Sequence, residues 1–246
     1  MNEKLYNRRL RKFFKRPENL KLILLSTLKS IGKPKIFCVG RNKTGTTSMK
    51  KAFNELGLIV GSQLVGELLL LDWAKRDFRR IYLLCRTGQA FQDIPFSLPY
   101  TFQALDQRFP GSKFILSVRD TPQQWYQSLA NFHARLWGSG HIPTSEDLKE
   151  ARYIFKGRPY QGNRLIYHCP PDDPYNKEVL IAHYKAHNKA VIDYFKHRPD
   201  DLLVLNVAGK GAYDKLCDFL GKPRVGRDFP HELKTEDIPV RKPKTN

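Results

Sequence analysis

Three uninterrupted apolar runs, Lys35 to Val39, Lys113 to Val118 and Leu202 to Asn206, stand between polar segments, and Leu58 to Val60 forms a shorter one. Runs of this length without alternation read as strands buried on both faces, and each is followed by helical periodicity. The pattern predicts an α/β fold of three layers, α/β/α, with a central parallel sheet in a single domain. The helix after the Lys113 run has a defined start: Thr121 as N-cap, Pro122 at the first position and Gln124 closing a capping box. Asn19 to Ser30 reads as an amphipathic helix leading into the domain, and about Asn176 to His197 as the helix that returns the chain to the last strand. Between Gly138 and Asp173 the pattern breaks into Pro, Gly, Tyr, Arg and His, with one helix expected after Thr144; such a stretch is usually a functional or mobile loop. No internal repeat is present. The chain thus divides into a basic N-terminal segment with a short helix (1–34), the main domain (35–233) and a flexible basic tail (234–246).

Composition changes this picture in one respect. With 246 residues and 41% hydrophobic content the chain can bury a sizeable core, but 43 Lys and Arg against 24 Asp and Glu leave a net charge of +19. Such a balance attracts polyanions, whether nucleotides, nucleic acids, glycans or lipid surfaces, without choosing among them. Cys38, Cys85, Cys169 and Cys217 have neither disulfide-framework nor zinc spacing, so reduced thiols in a cytoplasmic protein are expected. The apolar stretch from Leu22 to Leu28 is far shorter than the ~20 residues of a membrane span. With no small-residue cleavage site after it, a secretory leader is not expected either. Membrane contact would be at most peripheral, through this helix and the basic residues Arg8 to Arg16.

The candidate chemistry begins where the first strand ends. Gly40 and Gly45 keep the spacing of the nucleotide-triphosphate loop G-x-x-x-x-G-K-[ST], but Thr46 stands where that loop has its Lys, and Lys43 precedes the second Gly. Backbone amides at a helix N-terminus still bind an anion. The Lys and hydroxyl that grip a β/γ-phosphate with Mg²⁺ are missing, so the loop suits a phosphorylated group handled without metal. Arg119 lies at the carboxyl end of its strand, as Gly40 does of the first, where open α/β sheets bind ligands. Two basic sites on one crevice would suit a donor with separated phosphates.

The segment Asn42-Lys43-Thr44-Gly45-Thr46-Thr47 resembles the 5′-phosphosulfate loop, P-K-[ST]-G-T-[ST], of the sulfotransferases that use 3′-phosphoadenosine 5′-phosphosulfate (PAPS), with Asn in place of Pro. Lys113 to Asp120 followed by Trp125-Tyr126-Gln127-Ser128 is similar to that family's 3′-phosphate site, although the family usually places Ser eight residues after Arg and Ser128 is the ninth. Asp201 to Asn206, Tyr213 to Pro223 and Phe229-Pro230-His231 resemble the C-terminal end of bacterial-type members. The resemblance implies a P-loop-like fold and transfer of a sulfuryl group from PAPS to a hydroxyl or amine, leaving adenosine 3′,5′-bisphosphate (PAP), with no metal. It implies donor contacts from Arg41, Asn42, Lys43, Thr44, Gly45, Thr46, Thr47 and Ser48, and from Arg119 and Ser128. Lys43 would stabilise the charge developing on the leaving phosphate. In similar bacterial sequences an acidic residue precedes a Pro between the two phosphate motifs, and Gln92-Asp93-Ile94-Pro95 makes Asp93 the candidate general base, with Glu55, His133 and His187 as replacements. A turn-forming Asp is the alternative at that position.

His183 and His187 are four apart, but no third ligand and no intervening Glu accompany them, so no metal is expected; His187 sits in Ala186-His187-Asn188, similar to a recurring family segment and a candidate near the site. Trp125 and Tyr126 read as core, and the family's C-terminal lid survives only as Gly209-Lys210-Gly211. Arg152, Lys156, Arg158, Tyr160, Arg164, Tyr167 and His168 would suit a carbohydrate or acidic glycan as acceptor. A nucleotide kinase or NTPase is the rival enzyme class, disfavoured by the missing Gly-Lys-Thr. A basic polyanion-binding protein is the non-catalytic rival; no recognised nucleic-acid motif supports it.

Overall fold

The structure, a computed structural model, describes residues 3–226, 228–229 and 239–240. In chain order the elements are α1 (Glu3–Phe14), α2 (Pro17–Ser30), β1 (Ile36–Cys38), α3 (Thr46–Glu55), α4 (Gln63–Leu68), α5 (Leu70–Ala74), α6 (Arg79–Cys85), β2 (Ala90–Phe91), α7 (Thr101–Arg108) and β3 (Lys113–Ser117). They continue with α8 (Pro122–Trp137), α9 (Ser145–Glu150), β4 (Arg152–Tyr153), β5 (Phe155–Lys156), α10 (Arg158–Ile166), α11 (Lys177–Phe195), a 3-10 turn at Pro199–Asp201, β6 (Leu202–Leu205) and α12 (Ala212–Leu220). The fold is α/β around an all-parallel four-stranded sheet of order β2-β1-β3-β6. Within this one domain the chain groups into two compact units, Met1–Val118 with Ala190–Pro230, and Arg119–Lys189 with His231–Asn246.

In the first unit the register Phe37↔Phe114 and Cys38↔Ile115 sends alternate residues of β1 and β3 to opposite faces. Ile36, Cys38, Ile115 and Leu205 share a cluster with Met49, Ala52 and Phe53 of α3 and with Tyr213, Leu216 and Cys217 of α12. The other face is aromatic: Phe37 packs on Phe91, Phe96, Phe109 and Phe114, and Phe114 lies 4.7 Å from Phe195, the last residue of α11. Both faces are thus covered, which is why the strands read as unbroken apolar runs rather than alternating ones.

The second unit has its own core of Trp125, Leu129, Leu148, Cys169, Tyr175, Leu180 and Tyr184. Trp125 stacks on Tyr184 with ring centroids 4.6 Å apart and 12° between planes, which makes both Trp125 and its neighbour Tyr126 packing residues, as the sequence indicates. Thr121 caps α8 by accepting from the Gln124 amide at 3.1 Å. The capping box itself is displaced by one residue, because the Gln124 side chain accepts from the amide of Asp120 rather than Thr121.

Three expectations are corrected. Leu58 to Val60 is not a strand; only Val60 bridges to Ala90, and the fourth strand is β2. The segment from Gly138 to Asp173 is largely ordered: the helix expected after Thr144 is present with a full Thr144–Asp147 capping box, and the β4–β5 hairpin and α10 follow it. The N-terminal segment carries two helices, α1 and α2, rather than one. The tail from Lys234, apart from Pro239 and Val240, lies outside the described residues, as do Pro230 and His231 of the C-terminal resemblance.

Candidate active site

β1 ends at Cys38 and the chain passes through Gly40 so close to β3 that a β-carbon there would sit 2.1 Å from Ser117 Oγ and 2.3 Å from its carbonyl oxygen. No other residue fits. The loop then tightens through Lys43 (φ 72°) and Gly45 (φ 94°), and Gly45 meets Val207, the second residue after β6. Thr44 is buried beneath the turn, its Oγ1 donating to the Arg41 carbonyl at 2.6 Å and lying 2.6 Å from Ser117 Oγ. The first bond of α3 runs from the Met49 amide to the Gly45 carbonyl, so the amides of Thr46, Thr47 and Ser48 precede it and form the open N-terminus of a ten-residue helix. Open amides with the positive end of a helix dipole behind them can hold an anion.

The side chains under the loop are interlocked. Asn42, which stands where the resemblance has Pro, donates from Nδ2 to Asp93 Oδ1 at 2.5 Å and accepts from Ser97 Oγ at 3.1 Å. Asp93 Oδ1 also accepts the Ile94 amide at 2.9 Å, and Oδ2 accepts from Gln63 Nε2 at 2.9 Å. Gln63 is held in turn by Gln92 Nε2, 3.2 Å from its Oε1. Asp93 itself adopts φ 67° and precedes a cis Ile94–Pro95 bond. Its carboxyl is pushed above the ordinary 3.8 by burial, against the opposing pull of the Ile94 and Asn42 donors and the charges of Arg41 and Lys43. The resulting group is a fixed, desolvated carboxylate within the field of the loop lysine.

The Arg41 side chain is fully buried and donates from Nη1 to the Ser97 carbonyl at 2.5 Å, which places its charge beneath the loop. Lys43 is half-buried and Thr47 exposed, while Thr46 and Ser48 are buried at the helix start. Glu55 is exposed at the far end of α3.

Arg119, Ser128 and His187 belong to the second unit. The amide of Arg119 donates to Tyr184 Oη at 3.0 Å; the guanidinium is half-covered, and burial lowers its pKa from the usual range against the opposing pull of Tyr184 and Asp120. Ser128 is on the half-buried side of α8 and Gln127 is exposed. His187 is 4% exposed on α11. His133, another alternative base, is 2.7 Å from Tyr175 Oη through Nδ1. His183 packs edge-on to Tyr167, and no group of three His, Cys, Asp or Glu able to hold a metal occurs among the described residues.

The structure therefore joins Lys43, Asn42 and Asp93 and adds Gln63, Ser97 and Ser117, which the sequence did not mark. Gln63 lies 30 residues from Asp93 in the chain, and no local pattern connects them. Of the proposed acceptor residues, Arg158 is buried and Arg164 donates to the Cys169 carbonyl, which leaves Arg152, Lys156 and His168 exposed.

No curated protein matches the chain. The family model described as a sulfotransferase domain matches residues 35–238, from the first residue before β1 through both units. With that match covering most of its length, the chain belongs to the sulfotransferase family.

Proposed function

We propose that this sulfotransferase draws its sulfuryl group from PAPS and passes it to a hydroxyl or amine of its acceptor by in-line displacement. The observation that carries the reading is the loop from Gly40 to Ser48 with Asp93 locked beside it. The acceptor oxygen attacks sulfur, the bond from sulfur to the bridging oxygen breaks, and its electron pair stays on the 5′-phosphate of departing PAP. The amides of Thr46, Thr47 and Ser48 and the Lys43 ammonium meet that developing charge, so no metal is required. Asp93 takes the acceptor proton, and its raised pKa favours this role because a more basic carboxylate is a better proton acceptor. His187 stands second to it, since Asp93 shares the electrostatics of Lys43 within one unit. Arg119 forks onto the 3′-phosphate with Ser128 adding a hydroxyl. The exposed Arg152, Lys156 and His168 favour an anionic, hydroxylated acceptor such as a glycan. Four free, buried cysteines suit a reducing, cytoplasmic setting.

Calorimetry with PAP, ADP and 5′-AMP in the presence of EDTA tests the donor. Preference for the bisphosphate is expected. Equal affinity for the three, or a requirement for Mg²⁺, would replace this reading with a kinase or general polyanion binder.

A further inference from the structure

The two N-terminal helices, which the reaction does not use, carry an inverted pattern. α1 is fixed to the first unit: Tyr6 and Leu10 are buried, Glu3 pairs with Lys75 at 2.5 Å, and Asn7 Oδ1 accepts from Arg80 at 2.9 Å. α2 follows after a short turn, tied to α1 by Asn19 Nδ2 donating to the Phe13 carbonyl at 2.8 Å. A surface helix normally turns its apolar stripe inward. In α2 the inward side holds Asn19, Ile23, Ser26, Thr27 and Ser30, and the hydroxyls of Thr27 and Ser30 satisfy themselves on the helix's own carbonyls. Leucine faces outward instead: Leu20, Leu24 and Leu28 form one stripe continued by Ile31, with Leu22 and Leu25 alongside, each between 45% and 70% exposed. Single exposed leucines need no explanation, but five on one short helix, with Ile31 directly after it, do.

The surrounding charge selects what covers them. Residues 1–34 contain ten Lys and Arg against Glu3 and Glu18. Along one face of α1, Lys4, Arg8, Arg11 and Lys12, with Asn7 and with Lys15 just past the helix end, line a groove of about 440 Å³. Lys21 and Lys29 flank the leucines and are exposed. A second copy of the same face would bring like charges together. A bilayer with anionic headgroups matches both features, since leucines enter the acyl boundary while Lys and Arg remain among phosphates. We propose that α1 and α2 form a docking element for an anionic phospholipid surface, independent of the donor site.

The test is cosedimentation of the full chain with phosphatidylcholine vesicles, with and without phosphatidylserine, at physiological and high salt. Binding at least about tenfold tighter with phosphatidylserine, and weakened by salt, is expected. The double variant L24E/L28E should lose about tenfold or more by removing the inserted face, and R8Q/R11Q/K12Q/K15Q should lose a similar factor together with most of the salt dependence. Unchanged thermal unfolding midpoints establish that the variants remain folded. Equal affinity for the two vesicle types, or undiminished binding by L24E/L28E, overturns the proposal. So does a wild-type dimer in light scattering that L24E/L28E converts to monomer, because the leucine face would then belong to a second copy.

Discussion

The loop after β1 and the segment after β3 leave parallel strands at the same end and carry the two groups of candidate donor residues, yet they are held in different ways. The first is over-determined from a distance: Gly40 presses on Ser117, Gly45 on Val207, Thr44 bonds to Ser117, and Asn42 reaches Asp93 and Ser97. In the second, the Thr121 cap and the Gln124 side chain act within one turn of helix, and the Arg119 amide is tethered to Tyr184. A group that must stabilise charge only in the transition state benefits from rigidity, because any freedom left in it is lost during the reaction. A group that only grips a phosphate tolerates more freedom, since its contribution is paid once, on binding.

The largest test of this contrast is Gly40→Ala. A methyl 2.1 Å from Ser117 Oγ and 2.3 Å from its backbone oxygen cannot be absorbed by side-chain rotation, so β1 and β3 must separate. The expected cost is more than about 4 kcal/mol, at the extreme for single substitutions; denaturant unfolding reads it. Stability close to wild type would mean that the loop is not pinned by β3. Next comes Lys43→Ala, which leaves every interlocking bond above in place. Turnover should fall about 10²- to 10³-fold, the usual loss for one transition-state donor, with the unfolding midpoint and most PAP affinity retained. Unchanged turnover would remove Lys43 from the chemistry.

Arg119→Ala acts on binding instead. Affinity for PAP should weaken by about 1.5 to 3 kcal/mol, the worth of a charge-assisted bond, and calorimetry with 5′-AMP should show a much smaller loss. Equal losses with the two ligands would show that Arg119 does not read the 3′-phosphate.

The same contrast explains what the sequence disclosed. β1 and β3 were legible because burial on two faces leaves an unbroken apolar run, and β6 reads the same way although it lies at the sheet edge with Val204 exposed and Leu205 its buried residue. β2 was not, since Ala90–Phe91 is two residues long and pairs through a register that nothing local specifies. In α1 the spacing of Tyr6, Leu10 and Phe13 is helical, but the charge around it dominates the composition. α10 begins at Arg158-Pro159 after Gly157 and contains Gly162, all of which read as loop. In the loop, glycine spacing and the strand before it made the strand–turn–helix geometry visible. The Asp93 network was only half visible, because an Asp two residues before Pro also makes an ordinary turn, whereas its partners Asn42 and Gln63 come from 51 and 30 residues away.

That hidden half supplies the finest test. Asn42 stabilises the ionised form of Asp93, so Asn42→Ala should raise a carboxyl pKa that burial has already raised. A base works only when deprotonated, so activity is lost as pH falls through its pKa; a higher pKa moves that acid limb of the kcat profile to higher pH. At neutral pH the loss should be about tenfold or less, the lower end for a hydrogen bond to a charged group, and raising the pH should recover part of it. Gln63→Ala removes the donor on the other oxygen and should shift the limb in the same direction. An acid limb that stays in place in both variants, with turnover reduced equally at every pH, would assign Asn42 and Gln63 to the shape of the loop and return the base to His187, whose substitution would then be the one that moves the profile.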